Sequence, residues 1–460
     1  MSEDSCNLMN GKNSKSLSIA LIRPGLGLKG RKKYASLACL EPLSLAILAA
    51  LTPSDIDVVA FDDRIEDIDF SSSFDLVAIS VGTFQARRAY EICDKFKSLG
   101  VKTIVGGFHA AFCGDEVLEH AASVAKGEAE ALWAEVITDL RNGQLKKVYE
   151  VSNRPSLSGL LPDRTIFKNK GYMPMSVIQF GRGCPHSCDF CCIKAYYGNS
   201  CRHRLIDDVI LEIKSTGRKW IFFTDDNLLS NKQKAKEFLK AIIPLRLKWT
   251  SQVSLACLDD NELLKLMKES GCQCIVIGFE SLNPDNMKQM GKGWSDVTLY
   301  RKKIAKIRNM GIMIYGTFVF GYDSDSKDVF EKTLQFAMEE KFFLVNFNHL
   351  QPYPGTPLYE RLKRKKELIF DKWWLEDNYR FGDVCFEPSK MTAVELANTC
   401  HSLRCQFYSW PSIFKRLWEF KSNCKSLSNL FVFLIISYIS RQDIYRKHRL
   451  ELGLHGGRES

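Results

Sequence analysis

The chain has 460 residues, 45% hydrophobic and 26% charged, which is enough apolar content to bury large cores in two or three domains and too much for a disordered chain. A formal net charge of +10 is compatible with an anionic membrane face, an acidic substrate or simply a solvated basic surface, and no nucleic-acid-binding motif accompanies it. Sixteen cysteines without an even, short-range framework argue against a disulfide scaffold and fit reduced thiols in a cytoplasm. Residues 1–16 are polar, rich in Ser and Asn, and have no apolar h-region, so they read as a flexible tail and not a signal peptide.

Short apolar runs at 17–22, 58–61, 76–80, 103–105 and 123–125 read as buried strands, with helical patterns at 43–51 and 87–98 between them. Gly127, Glu128 and Ala129 open a last helix, so strands alternating with helices predict a parallel α/β domain over residues 17–150. A linker with Pro155, Pro162 and Pro174 covers 151–175. A second alternating series follows, with strands expected at 176–180, 220–224, 249–253, 274–278, 314–320 and 344–350. Six strands in residues 176–362 make a partial barrel, because a full eight-stranded barrel takes about 250 residues. From 363 to 460 the composition turns to Lys, Trp and Phe with helical spacing, which predicts a mainly helical region. Its apolar run at 430–439 is about half the ~20 residues that a membrane-spanning helix needs.

The chemistry concentrates directly after the first barrel strand, in Gly181-Arg182-Gly183-Cys184-Pro185-His186-Ser187-Cys188-Asp189-Phe190-Cys191. Loops at the C-terminal ends of barrel strands are where active sites form. The spacing Cys-x3-Cys-x2-Cys lets three thiolates wrap one face of a small iron–sulfur cluster, with the glycines permitting a tight path and one iron left without a protein ligand. A zinc site completed by His186 or Cys192 and a redox thiol pair are the competing readings. Cys257, Cys272 and Cys274 read as small core hydrophobes.

At this loop, with Phe190 as the aromatic before the last cysteine, the sequence resembles the radical S-adenosylmethionine superfamily. Tyr196-Tyr197-Gly198, Asp225-Asp226-Asn227, Ser251-Gln252, Gly278-Phe279-Glu280-Ser281 and the turn at 351–359 extend the likeness to the subgroup that carries an N-terminal cobalamin-binding domain. The resemblance implies an N-terminal Rossmann-like doubly wound domain, a partial (β/α)6 TIM-type barrel and a helical C-terminal region. It also implies a [4Fe–4S] cluster on Cys184, Cys188 and Cys191, with S-adenosylmethionine on the fourth iron. Asp225, Asp226, Gln252 and Glu280 are then candidates for binding its ribose hydroxyls or methionyl ammonium, against a bland reading of Asp225 and Asp226 as surface carboxylates or helix caps. Arg182 is expected to balance the cluster's charge, and Tyr196 and Tyr197 to wall the pocket.

In the first domain, Ser80-Val81-Gly82 and, 26 residues after Ser80, Gly106-Gly107 close two strands on the carboxyl edge, where small residues let a nucleotide tail approach the backbone. Together with Gly127-Glu128 they resemble the later part of the cobalamin-binding fingerprint. The earlier part, Asp-x-His-x-x-Gly, is missing, and no histidine precedes His109, so no histidine lower ligand is expected; His109 reads as a loop residue near the ligand. The implied activity is cobalamin-dependent methyl transfer to an unactivated carbon through a 5′-deoxyadenosyl radical. A radical cyclase or rearranging enzyme without methyl transfer and a non-catalytic cobalamin or iron–sulfur sensor are the alternatives. Expected partners are a small-molecule or lipid-like substrate and a reducing donor such as flavodoxin or ferredoxin, with no nucleic acid. Trp373, Trp374, Tyr379, Phe381, Phe407, Tyr408 and Trp410 are expected to cap the barrel, wall a large apolar substrate or rest peripherally on a membrane.

Overall fold

A computed structural model describes residues 16–454, so the expected tail at 1–16 lies, but for Ser16, outside the described residues. Six parallel strands build the first sheet: β1 (Ser18–Arg23), β2 (Asp57–Asp62), β3 (Leu76–Ser80), β4 (Thr103–Gly106), β5 (Ser123–Lys126) and β6 (Val148–Glu150), in the order β2-β1-β3-β4-β5-β6. Side chains on a strand alternate between faces. Ile19 and Leu21 of β1 therefore join one core, with the helices Leu43–Leu51 and Ala129–Arg141, while Ala20 and Ile22 join the other, with the helix Ala86–Ser98. With helices on both faces every inner position of β1 is buried, which is why the strand reads as an unbroken apolar run. The order reverses between β1 and β3, and their carboxyl ends form the crevice where such sheets bind ligands.

The second sheet has six parallel strands in sequential order: β7 (Ser176–Ile178), β8 (Trp220–Phe223), β9 (Lys248–Val253), β10 (Cys272–Glu280), β11 (Met313–Phe320) and β12 (Leu344–His349). This is an open partial barrel. The amphipathic helices Lys232–Ile242 and Asn261–Glu269 each turn a buried face inward, Phe238, Leu239 and Ile242 from the first and Leu263, Leu264 and Met267 from the second. Each such fully buried side chain contributes about 1.5–3 kcal/mol.

The C-terminal region is helical, at Ala393–Phe407, Trp410–Leu417 and Leu427–Lys447, but it ends in a strand that the sequence reading does not include. Glu451–Leu452 pairs antiparallel with Gly27–Lys29, returning the chain to the first domain. The aromatics expected to act as a group divide four ways. Trp373, Trp374 and Tyr379 are buried in the core of the first domain, and Phe407 in that of the barrel. Phe381 and Tyr408 line a cavity in the barrel, and Trp410 is exposed. Among the described residues no helix is long and apolar enough to cross a membrane.

Candidate functional site

The cysteine loop leaves β7 through a two-residue strand, Gly181–Arg182, that pairs antiparallel with Arg202–His203 and pinches residues 183–201 into a closed loop. Gly183 makes the pinch possible: its φ is +95°, and a Cβ there would lie 1.9 Å from the Ser200 carbonyl oxygen. Two consecutive carboxylates hold the base of the loop. The backbone N–H groups of Phe180 and Gly181 donate to Asp225 Oδ1 (2.8 Å) and Oδ2 (2.6 Å), and that of Gly183 donates to Asp226 Oδ2 (2.7 Å). Asp225 is buried, and burial pushes its carboxyl up to about 8. Both of its oxygens face backbone donors of the loop, so its first task is to shape that loop. At the loop's far end Asp189 accepts from the Tyr322 hydroxyl (2.6 Å) and from Arg361 (3.2 Å).

Cys188 is buried and Cys184 and Cys191 are half-buried. Burial pushes the Cys188 thiol up to about 12 and raises the other two as well, so thiolates at these positions need a cationic partner, which is the condition for metal binding coupled to proton release. A tetrahedral zinc site would bring its sulfurs to about 3.8 Å apart, from Zn–S bonds of about 2.3 Å. Among the described residues these three cysteines do not belong to a three-ligand group whose ligand atoms all lie within 4.8 Å of one another. His186 is not placed to complete a zinc site either; its ring stacks on Trp294 (4.2 Å) and its Nε2 lies 3.2 Å from Ser254 Oγ. Cys257, Cys272 and Cys274 are buried in the barrel core.

Two cavities flank the loop. The barrel cavity, 620 Å³, is reached by Phe190 from the loop, Gln252 from β9 and Glu280 from β10. Glu280 adopts a left-handed backbone, φ +62°, where the register between β10 and β11 shifts. Such a conformation costs a residue with a side chain of order 1–3 kcal/mol and persists only where its surroundings impose it. Here Lys292 fixes the carboxylate at 2.6 Å. Lys292 also lies close enough to Cys188 to favour its thiolate. No sequence motif distinguishes this lysine.

The second cavity, 540 Å³, lies at the carboxyl edge of the first sheet and takes in Ser80, Gly82, Gly106, Gly107, Gly127 and Glu128, together with Arg23 at the end of β1. Its opposite wall belongs to the barrel domain: Arg182, Tyr196, Tyr197 and Asp226. Asp225 lines neither cavity. Glu128 is buried and accepts from Arg182 and, at 2.7 and 2.8 Å, from Arg202. Arg182 also pairs with Glu130 at 2.8 Å. Arg182 is therefore turned toward the first domain, and the expectation that it balances a cluster is corrected. His109 is corrected too: it is fully buried, lies 2.8 Å from the Tyr90 hydroxyl and 3.4 Å from Glu116, and does not line the cavity.

The structure sets a doubly wound domain against a partial barrel, with three free cysteines in the loop after the first barrel strand. Residues 178–337 match the model of the Radical SAM superfamily. A bacteriochlorophyllide d C-12(1)-methyltransferase from Chlorobaculum tepidum is 34% identical over 391 residues, 82% of this chain and 84% of the relative. Among solved structures, the cobalamin-dependent S-adenosylmethionine radical enzyme OxsB, with aqua-cobalamin and S-adenosylmethionine bound, matches 96% of this chain and 77% of its own at a TM-score of 0.65 and 15% identity. The radical S-adenosylmethionine methyltransferase TsrM from Kitasatospora setae, with cobalamin and [4Fe-4S] cluster bound, matches 76% of this chain and 75% of its own at a TM-score of 0.62 and 17% identity. The chain belongs to the radical SAM superfamily, among its methyltransferases.

Proposed function

We propose that the protein is a cobalamin-dependent radical S-adenosylmethionine methyltransferase that acts on an unactivated carbon of a tetrapyrrole-like substrate. The observation that carries this reading is the position of the cysteine loop between two cavities, with Arg182, Tyr196 and Tyr197 on one side and Phe190 on the other. A reaction that joins two cofactors at one carbon needs such an arrangement.

Cys184, Cys188 and Cys191 are the residues to hold three irons of a [4Fe–4S] cluster, leaving the fourth to the amino and carboxylate groups of S-adenosylmethionine. Gln252 and Glu280 stand in the barrel cavity at strand ends, where they are candidates to orient that molecule, with Lys292 holding the Glu280 carboxylate in place. Asp226 lines the first-domain cavity while one oxygen holds Gly183, so a role toward the ribose has to share that carboxylate.

The first-domain cavity suits a cobalamin nucleotide tail. Its floor is Ser80, Gly82, Gly106 and Gly107, and the extra width comes from missing side chains: a Cβ on Gly106 would come no closer to its neighbours than the ordinary contact of 3.5 Å to Ala125. No histidine lines it among the described residues, in keeping with a cobalamin held without a histidine ligand. When bound, the cluster supplies the electron that splits S-adenosylmethionine and cobalamin supplies the methyl carrier. The chain's own contribution is to orient the reactants and exclude water, with Phe84, Tyr315, Tyr353, Phe381 and Tyr408 walling a cavity of 620 Å³, a volume typical of small-molecule sites.

The substrate class rests on the bacteriochlorophyllide-methylating relative. A reducing donor such as flavodoxin or ferredoxin is required by the chemistry. Trp410, Phe414 and Phe431 on the C-terminal helices, with Trp418 and Phe420 in the connection between them, are exposed, which supports a peripheral lipid contact. The test is turnover of the anaerobically reconstituted protein with deuterium-labelled methyl S-adenosylmethionine and a bacteriochlorophyllide. Label in the product supports methyl transfer; 5′-deoxyadenosine with an unlabelled, rearranged or ring-closed product replaces it with the cyclase reading.

A further inference from the structure

One cation in the barrel cavity has no counter-charge. Arg404 lies on the helix Ala393–Phe407, which packs on β12, and its side chain lines the cavity. Among the described residues no carboxylate pairs with it, and its Nε is buried without a hydrogen-bond partner. The ionisable groups around it do not compensate. His349, His401 and His448 line the same cavity; burial pulls the first two down to about 4 and lowers the third, so all three are neutral near pH 7. The two carboxylates of the lining are already engaged, Glu280 with Lys292 at 2.6 Å and Asp443 with Lys447 at 2.7 Å and the Tyr34 hydroxyl at 2.5 Å.

A partly buried guanidinium without an anion is unfavourable, and its planar fork of N–H donors matches a carboxylate. S-adenosylmethionine also carries a carboxylate, and Phe190 of the cysteine loop lines the same cavity, so that carboxylate is the competing ligand for Arg404. The remaining lining near Arg404, including Tyr315, Asn346, Asn348 and Tyr408, is aromatic and neutral polar.

We propose that Arg404 receives a carboxylate of the substrate, so that the cavity selects an apolar ring system by an acidic side chain; the assignment rests on the tetrapyrrole-like substrate class proposed above. The test is binding of chlorophyllide a, which has a free propionate, and of its methyl ester to the reconstituted full-length protein, to Arg404→Met and to Arg404→Lys. The wild type is expected to bind the acid at least tenfold more tightly than the ester. Arg404→Met should bind both alike, and Arg404→Lys should recover part of the preference. Two further readouts separate a recognition role from other roles. The change that S-adenosylmethionine causes in the electron paramagnetic resonance spectrum of the reduced cluster should be the same in Arg404→Met, and that variant's unfolding midpoint should not fall, since an unpaired charge has been removed. Equal binding of acid and ester by the wild type, or a preference that survives in Arg404→Met, overturns the assignment and leaves the tetrapyrrole reading standing. Loss of the S-adenosylmethionine response in Arg404→Met overturns it in favour of the cosubstrate's carboxylate. A wild type that binds neither probe overturns both this assignment and the substrate class.

Discussion

Glu128, at the head of the helix Ala129–Arg141, and Arg182, two residues before Cys184, form a buried ion pair across the seam between the two sheets. Arg202, across the two-residue ladder from Arg182, joins the same carboxylate at 2.7 Å. One side chain of the first domain thus ties down both strands that close the cysteine loop.

Glu128→Gln leaves three arginines, Arg154, Arg182 and Arg202, short of a counter-charge, and breaking a buried pair from one side costs about 3–5 kcal/mol. Because Arg182 keeps Glu130, the lower end of that range is expected. Thermal unfolding of the apoprotein should show a midpoint several degrees below wild type, and reconstituted Glu128→Gln should bind less iron, since the loop loses its tether.

Gly183 and Gly198 form a matched pair for testing loop closure. Both have positive φ, but a Cβ at 183 meets the Ser200 carbonyl at 1.9 Å whereas at 198 it meets nothing within 4 Å. Gly198→Ala should cost about 1–3 kcal/mol through backbone strain alone and keep its iron. Gly183→Ala retains every cysteine yet should lose most of its iron per polypeptide on reconstitution.

Gly106→Ala and Gly106→Leu test the cobalamin slot. A Cβ there makes an ordinary 3.5 Å contact with Ala125, so the alanine variant should fold and bind cobalamin nearly as wild type. The leucine side chain extends into the cavity, and equilibrium dialysis against hydroxocobalamin should show affinity reduced at least tenfold.

His349 links the cavity to pH. Burial lowers it from 6.5 to about 4, so between those values the unfolded chain binds more protons than the fold, and stability falls as pH falls through that window. Its Nδ1 lies 2.8 Å from the Leu350 carbonyl, a bond that asparagine can reproduce. From pH 7 to pH 5 wild-type apoprotein should lose about 2 kcal/mol more than His349→Asn, as followed by chemical denaturation at each pH.

The strands whose inner positions are all apolar, such as β1 and β3, are legible from sequence because helices cover both faces. The edge strand β6 is not: in Val148–Glu150 only Tyr149 is buried, so no apolar run marks it. Glu451–Leu452 is invisible for another reason, since its partner, Gly27–Lys29, lies more than 400 residues away in the chain. The cysteines could be read from spacing because their ligand geometry is local. The roles of Asp225, Arg182 and Arg404 could not, because each depends on what another element brings near it: two backbone N–H groups for Asp225, Glu128 and Glu130 for Arg182, and, among the described residues, no carboxylate paired with Arg404. The glycine-rich neighbours of His109 suggest a loop, whereas Tyr90 and Glu116 draw it into the core.

The central claim is that Cys184, Cys188 and Cys191 hold a cluster that cleaves S-adenosylmethionine. The direct measurement is 5′-deoxyadenosine formed per polypeptide under reducing, anaerobic conditions, by the reconstituted wild type and by a variant with all three cysteines replaced by alanine. The account predicts 5′-deoxyadenosine from the wild type and none from the variant. A wild type that carries its full complement of iron but forms no 5′-deoxyadenosine, or a variant that forms as much as wild type, would contradict it.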